Sequence, residues 1–158
     1  MNDIQQTPAG AALTDLILTL FRANNLTLIW GDRLTAPFGL TSARWQILGA
    51  IVFAERPQPV AWLARDLGAN RQNVQRIVND LHKEGLVAFE PNPHHRRAKL
   101  VVLTEKGQRA YDAAVAAYYP RANALAEGIS AADIRTAHRV MLALRKKLEA
   151  ENDAVEGT

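Results

Sequence analysis

Residues 59 to 87, PVAWLARDLGANRQNVQRIVNDLHKEGLV, restrict what this chain can become more than any other stretch. Val60, Leu63 and Leu67 fall on one side of a short helix that Gly68 closes. Asn70 is a capping residue type for the helix that follows, because its side-chain oxygen can accept from free backbone N–H groups. That second helix carries its apolar stripe on Val74, Ile77, Val78 and Leu81. Gly85 fits the position after a helix end, where a left-handed residue is needed. Two short helices joined through LGAN, the second richly polar on the side away from its stripe, outline a helix-turn-helix.

The flanking segments supply what such a pair packs against. From Leu13 to about Arg33, Leu13, Leu16, Ile17 and Leu20 follow helical spacing, and Phe21, Leu28 and Ile29 extend the apolar surface. Gly31 and the Pro37–Gly39 stretch are the expected end. A second helix starts near Thr41, carries Trp45, Leu48, Val52 and Phe53, and stops before Pro57. Beyond the helix pair, Val87 to Phe89 and Ala98 to Leu103 read as two short strands, so PNPHHRRAK sits at a hairpin tip. The chain is helical again from Thr104 to about Ala126, with Pro120 expected to kink it. Ser130 and Asp133 resemble a capping box opening a last helix. Its Ile134, Ala137, Met141, Leu144 and Leu148 make a seam that wants a partner helix. Residues 151–158 read as a disordered tail. The expected architecture is one mainly α domain with a small β-hairpin, spanning residues 1–158.

The exposed positions of the second helix of the pair, Arg71, Gln72, Asn73, Gln75, Arg76 and Asn79, suit a DNA major groove. Arginine can bond guanine in two places, and glutamine or asparagine can do the same for adenine. With Asn70 at its start, that helix also offers free N–H groups to a phosphate. The rival reading is a solvated face, but such a face would normally hold more Glu and Lys. The hairpin tip, with His94, His95, Arg96, Arg97 and Lys99, suits a phosphate backbone or a neighbouring minor groove. An idle solvated loop remains the alternative. A metal site is disfavoured, since adjacent histidines point different ways, flanking arginines repel a cation, and the chain has no cysteine. A net charge of +3 and a pI near 9.5 are compatible with a polyanionic partner.

Other classes find little support. There is no HExxH, no glycine-rich phosphate loop and no cysteine nucleophile. Ser42 and Ser130, the two serines, both sit where helix starts need them. The expectation is a non-enzyme with no cofactor. The N-terminus lacks the basic region of a signal peptide, and no apolar run approaches about 18 residues. A soluble, cytoplasmic protein with no membrane partner is expected.

The order of these pieces resembles the MarR (multiple antibiotic resistance regulator) family of bacterial winged-helix transcription factors. LTSARWQILGAI is similar to that family's second helix, LARDLGANRQNVQRIVNDLHKEGLV to its helix-turn-helix and HHRRAKLVVLTEKG to its wing. The likeness covers roughly residues 13 to 149. It implies a homodimer built on helices at about 13–35 and 105–149, with a winged helix-turn-helix at about 41–104. It further implies a repressor on a palindromic operator in double-stranded DNA, and a small aromatic or phenolic effector. The alternative is a winged-helix protein that acts through protein contacts, or a nonspecific DNA binder. Trp30 and Trp45 lie on helices that border the effector crevice in that family, and Arg33 and Arg44 are candidates to meet an acidic ligand. Trp62 is a third aromatic candidate, although tryptophans in helices are more often core. One departure stands out. The family's aspartate two residues before the wing arginine is His95 here, while Arg97 matches the DNA-contacting position. The resemblance therefore implies a looser wing, and a histidine there opens it to pH dependence, since histidine titrates near neutrality.

Overall fold

The computed structural model describes residues 5–156. Its elements are α1 (Pro8–Thr35), a 3-10 turn (Ala36–Phe38), α2 (Ser42–Phe53), β1 (Gln58–Pro59), α3 (Val60–Asp66), α4 (Arg71–Lys83), β2 (Val87–Glu90), β3 (Leu100–Leu103), α5 (Glu105–Ala126) and α6 (Ala131–Glu156). The chain divides into two compact units, Met1–Tyr118 and Tyr119–Thr158. Among the described residues no helix is long and apolar enough to cross a membrane.

In the first unit, α1 starts at Thr7, whose hydroxyl accepts from Gly10 N at 3.0 Å, with Pro8 in the first turn. The helix runs through Gly31 to Thr35, two residues beyond the expected end near Arg33, and the Pro37–Gly39 stretch follows it as the expected stop. Gly31 is there for contact instead: a side chain on it would collide with Ser42. Ser42 Oγ donates to Leu28 O at 2.9 Å, and Ser42 N donates to Asp32 Oδ1 at 2.7 Å, so α2 is bolted to α1 at its first residue. The chain turns between them through Gly39 at φ +70°, which favours glycine. Thr41 caps α2 by accepting from Arg44 N at 3.3 Å, as its residue type suggested.

The core gathers the apolar stripes of α2, α3 and α4 against the sheet. Leu48, Val78, Leu81 and Val101 are fully buried at its centre, with Ile47, Leu63, Val74 and Val87 around them. The sheet is antiparallel in the order β1-β3-β2, with Val87 opposite Leu103 and Glu90 opposite Leu100. The expected hairpin is therefore present, but it gains a third strand, in which Gln58 pairs with Val101 and Pro59 with Leu100. A proline is tolerated there because β1 is an edge strand and need not donate on its outer side. Gly107, near the start of α5, lies so close to the Leu86 carbonyl that a side chain would collide with it.

The second unit holds the rest of α5 and all of α6. The helix α5 continues through Pro120, and the boundary between the units lies one residue before it. Gly128, at φ +79°, lies in the turn after α5. Ser130 Oγ then accepts from Asp133 N at 3.0 Å and donates to Asp133 Oδ2 at 2.7 Å, which starts α6. On the expected seam Met141 and Leu144 are half-buried, while Ile134 and Leu148 are exposed. The disordered tail needs correction: residues 151–156 continue α6. Glu and Ala are good helix formers, and no breaker intervenes before Gly157. Residues 157 and 158 lie outside the described residues.

Candidate nucleic-acid interface

Helix α4 has one apolar and one polar face. Val74, Ile77, Val78 and Leu81 are buried, while Arg71, Gln72, Asn73, Arg76 and Asn79 are exposed and Gln75 is half-buried. Asn70 caps the helix: its Oδ1 accepts from Gln72 N at 2.9 Å and from Asn73 N at 3.2 Å. Its carboxamide nitrogen is the part left for a phosphate. Two further pairs lie along the polar face. Gln75 Nε2 donates to Asn79 Oδ1 at 3.0 Å, and an Arg76 nitrogen donates to Asn73 Oδ1 at 2.9 Å. Asp80 also lies 3.9 Å from Arg76. Exchanging such exposed pairs for bonds to a ligand costs little, since each is worth only tenths of a kcal/mol, about 0.2–0.5.

The wing is the loop between β2 and β3. Its shape comes from a residue to which the sequence pattern had assigned no role. Asn92 Nδ2 donates to Ala98 O at 2.9 Å across the loop, and Asn92 Oδ1 accepts from His94 N at 3.0 Å. His95 N donates to Asn92 O at 3.3 Å, and Ala98 N to His95 O at 3.0 Å. An asparagine between two prolines was the available signal, because its side chain mimics a backbone turn. His94, His95, Arg96, Arg97 and Lys99 are all exposed on this framework. No side-chain bond or ion pair braces Arg97 among the described residues, so the order of the loop comes from Asn92 and not from a carboxylate beside the arginine.

Helix and wing meet across a cleft of about 780 Å³, lined by Arg56, Trp62, Arg71, His94, His95 and Arg97 among others; none of its lining residues is acidic. A smaller hollow of about 250 Å³ joins Arg71 and Gln75 of α4 to Arg97 and Lys99 of the wing. Arg71 and Arg97 line both. The structure thus brings Arg71, Gln75, His95, Arg97 and Lys99 together. Gln72, Asn73, Arg76 and Arg96 lie outside these two hollows, the first three on the open face of α4. Arg56 was not among the sequence candidates, because nothing local distinguishes it from an ordinary surface arginine. His82 is engaged locally, with its Nδ1 3.1 Å from Val87 O and its ring 4.9 Å from that of Phe89.

The effector candidates separate. Trp30 and Trp45, both half-buried, share Tyr118 as a neighbour, with ring centroids 5.8 and 5.3 Å away. Trp45 also borders a cleft of about 450 Å³ with Gly49, Ala50, Phe53, Leu67 and Tyr111. Its indole Nε1 is buried without a hydrogen-bond partner, a situation that costs free energy until an acceptor arrives. Arg33 is exposed. Arg44 is occupied: its two terminal nitrogens donate to the Glu84 carboxylate at 2.7 and 3.0 Å, and one also reaches Gly39 O at 3.3 Å. It ties the start of α2 to the C-cap of α4. Trp62 stands apart from the pair, on the wall of the wing cleft. Among the described residues no group of three or more His, Cys, Asp or Glu side chains converges.

Comparison with known proteins places this geometry. The MarR family model matches residues 38–98, from the 3-10 turn through the wing. An uncharacterized protein of Mycobacterium tuberculosis is 35% identical over 136 residues, which covers 86% of this chain and 94% of that protein. The structure of the M. tuberculosis transcriptional regulator MosR in complex with DNA superposes with a TM-score of 0.70 at 26% identity, covering 85% of this chain and 96% of that one. CouR from Rhodococcus jostii RHA1, bound to p-coumaroyl-CoA, shares the fold with a TM-score of 0.73 at 23% identity, covering 82% of this chain and 91% of that one.

Proposed function

That the chain belongs to the MarR family of transcription regulators is the premise from which we propose its function: a homodimeric, sequence-specific repressor on a palindromic operator, released by a small aromatic effector. The observation that carries the DNA reading is the acid-free cleft in which Arg71 of α4 faces Arg97 of the wing. Three guanidinium groups and two histidines line this passage from α4, the wing and the wall beside them, and no carboxylate lines it. MosR, which has the same fold, binds DNA.

In this reading α4 enters the major groove N-terminus first. Gln75 and Arg71 read base edges, while Asn70, Gln72, Asn73 and Arg76 take bases or phosphates along the same face. Arg97 and Lys99, with His95 and Arg96 beside them, lie along the flanking backbone. Dimerisation rests on the apolar residues that α1 and α6 leave in water. Phe21 is 64% exposed and Leu26 67% exposed on α1, and Val140, Leu142 and Leu148 are exposed on α6. Apolar surface of that extent marks a protein contact, and helices at about 13–35 and 105–149 are assigned to it. A two-fold dimer sets the two α4 helices on half-sites about 10 bp apart.

The effector reading rests on Trp45, with its orphan N–H, and on its neighbours Tyr118 and Trp30. CouR binds p-coumaroyl-CoA; for this chain the aromatic cluster is the support. Arg33 is the arginine free to meet an acidic group, since Arg44 is held by Glu84. A ligand that prefers one spacing of the two DNA-binding lobes shifts the population away from the DNA-bound form.

The test is selection of bound fragments from random duplex DNA at two salt concentrations. Enrichment of an inverted repeat with half-sites about one turn, roughly 10 bp, apart is the expected result. Salt-sensitive binding with no motif would remove sequence specificity from the reading.

A further inference from the structure

The wing cleft has a third wall, formed by neither α4 nor the wing. Trp62 of α3 is 41% exposed, unusual for the largest apolar side chain in a helix that buries Val60, Leu63 and Ala64. Two arginines lie over its indole. Arg56 Cζ is 5.5 Å and Arg65 Cζ 5.6 Å from the ring centroid, both within the range of a cation–π contact. Arg56 has no carboxylate within 4 Å among the described residues, and Arg65 has only Asp66, at 4.0 Å. Two like charges thus share one ring with little to neutralise them. Arg56 and Trp62 line the cleft with Arg71 and Arg97, whereas Arg65 does not.

We infer that Arg56, steadied on the Trp62 ring, is a DNA phosphate contact separate from those of α4 and the wing, one in each protomer. The chemistry follows from how a guanidinium stacks. Over a ring it uses its face, which leaves the N–H donors on its edge free for the paired oxygens of a phosphate. The ring also limits the conformations of a long side chain, so less freedom is lost when the phosphate is bound. The backbone is held as well. Two residues after Arg56, Gln58 and Pro59 pair with Val101 and Leu100 of β3, the strand that carries the wing. Arg56 therefore belongs to the same framework as Arg97.

The inference rests on the DNA-binding reading, and salt titration separates the two. The probe is a duplex carrying the selected operator, bound by the full chain, with affinity followed against salt concentration. Each phosphate contact contributes about 0.9 to the slope of log affinity against log salt. R56A is expected to flatten the slope by about 1 per subunit and to leave base preference unchanged. W62L, which removes no charge, is expected to weaken binding and flatten the slope in the same direction, while W62F retains both. R65A removes an equal charge from the same ring but outside the cleft, and is expected to keep the wild-type slope. Circular dichroism on each variant checks the fold. Equal flattening by R56A and R65A would show a diffuse charge effect, and a wild-type slope in R56A or in a folded W62L would show no contact; either overturns the assignment. Wild-type protein that binds no duplex even at low salt would take down the DNA reading itself, and this contact with it.

Discussion

Asn92→Ala tests whether the wing works by being held in shape. The substitution deletes no charge and removes two hydrogen bonds, from Asn92 Nδ2 to Ala98 O and from His94 N to Asn92 Oδ1. Each is worth a net of about 0.5–1.5 kcal/mol, so the folded loop loses about 1–3 kcal/mol of local order. That loss falls on the loop and spares the core, because Asn92 is only half-buried and lies outside the buried core cluster. A wing that must be reordered at each binding event returns the loss as weaker affinity, about tenfold for each 1.4 kcal/mol. Two wings per dimer double the exponent, so an operator complex is expected to weaken by about 100-fold if each wing loses about 1.4 kcal/mol. Fluorescence anisotropy on a labelled operator measures this directly. The salt slope is the discriminating readout, because the number of phosphate contacts is unchanged. Amide exchange at His94, whose N–H the clip holds, and at Ala98, whose N–H donates to His95 O within the same loop, should accelerate in parallel. Unchanged affinity would refute the idea that Asn92 pre-organises the wing. A flattened slope would refute it differently, by showing that the contacts themselves were lost.

Arg97→Ala should weaken binding to all sequences and flatten the salt slope by about 1 per subunit, read from affinities at several salt concentrations. Gln75→Ala should alter base preference and cost about 1–3 kcal/mol at the favoured site if the contact is bidentate; repeated selection with the variant measures it, and an identical motif would remove Gln75 from the readout set. Asn70→Ala should lower stability by about 1 kcal/mol in denaturant titration, since two N–H groups at the start of α4 lose their acceptor. A stability loss with intact DNA affinity would assign Asn70 to capping alone.

The helices, the Asn70 cap, the turn at Gly85 and the β2–β3 hairpin were legible in the sequence because each depends on neighbours a few residues away. Apolar spacing at α4, Val74 to Leu81, translates directly into a buried face, and the side chains opposite it have nowhere to point but outward. Helical propensity is local too, and it carries α6 on through residues 151–156, where a disordered tail was expected. Tertiary structure decided the rest. A two-residue strand such as β1 has no period to detect and exists only because β3 offers it a partner. Arg44 reads as a free cation until the fold brings Glu84, 40 positions later, within 2.7 Å. Three tryptophans look equivalent in sequence, yet two meet at Tyr118 and the third lies at the wing cleft with two arginines over its ring. Arg56 becomes a candidate only through the company it keeps. Backbone conformation is set by short-range sterics and hydrogen bonds, which the sequence writes out in order. The meeting of charges and rings from distant segments depends on how the elements pack, and no short-range pattern records that.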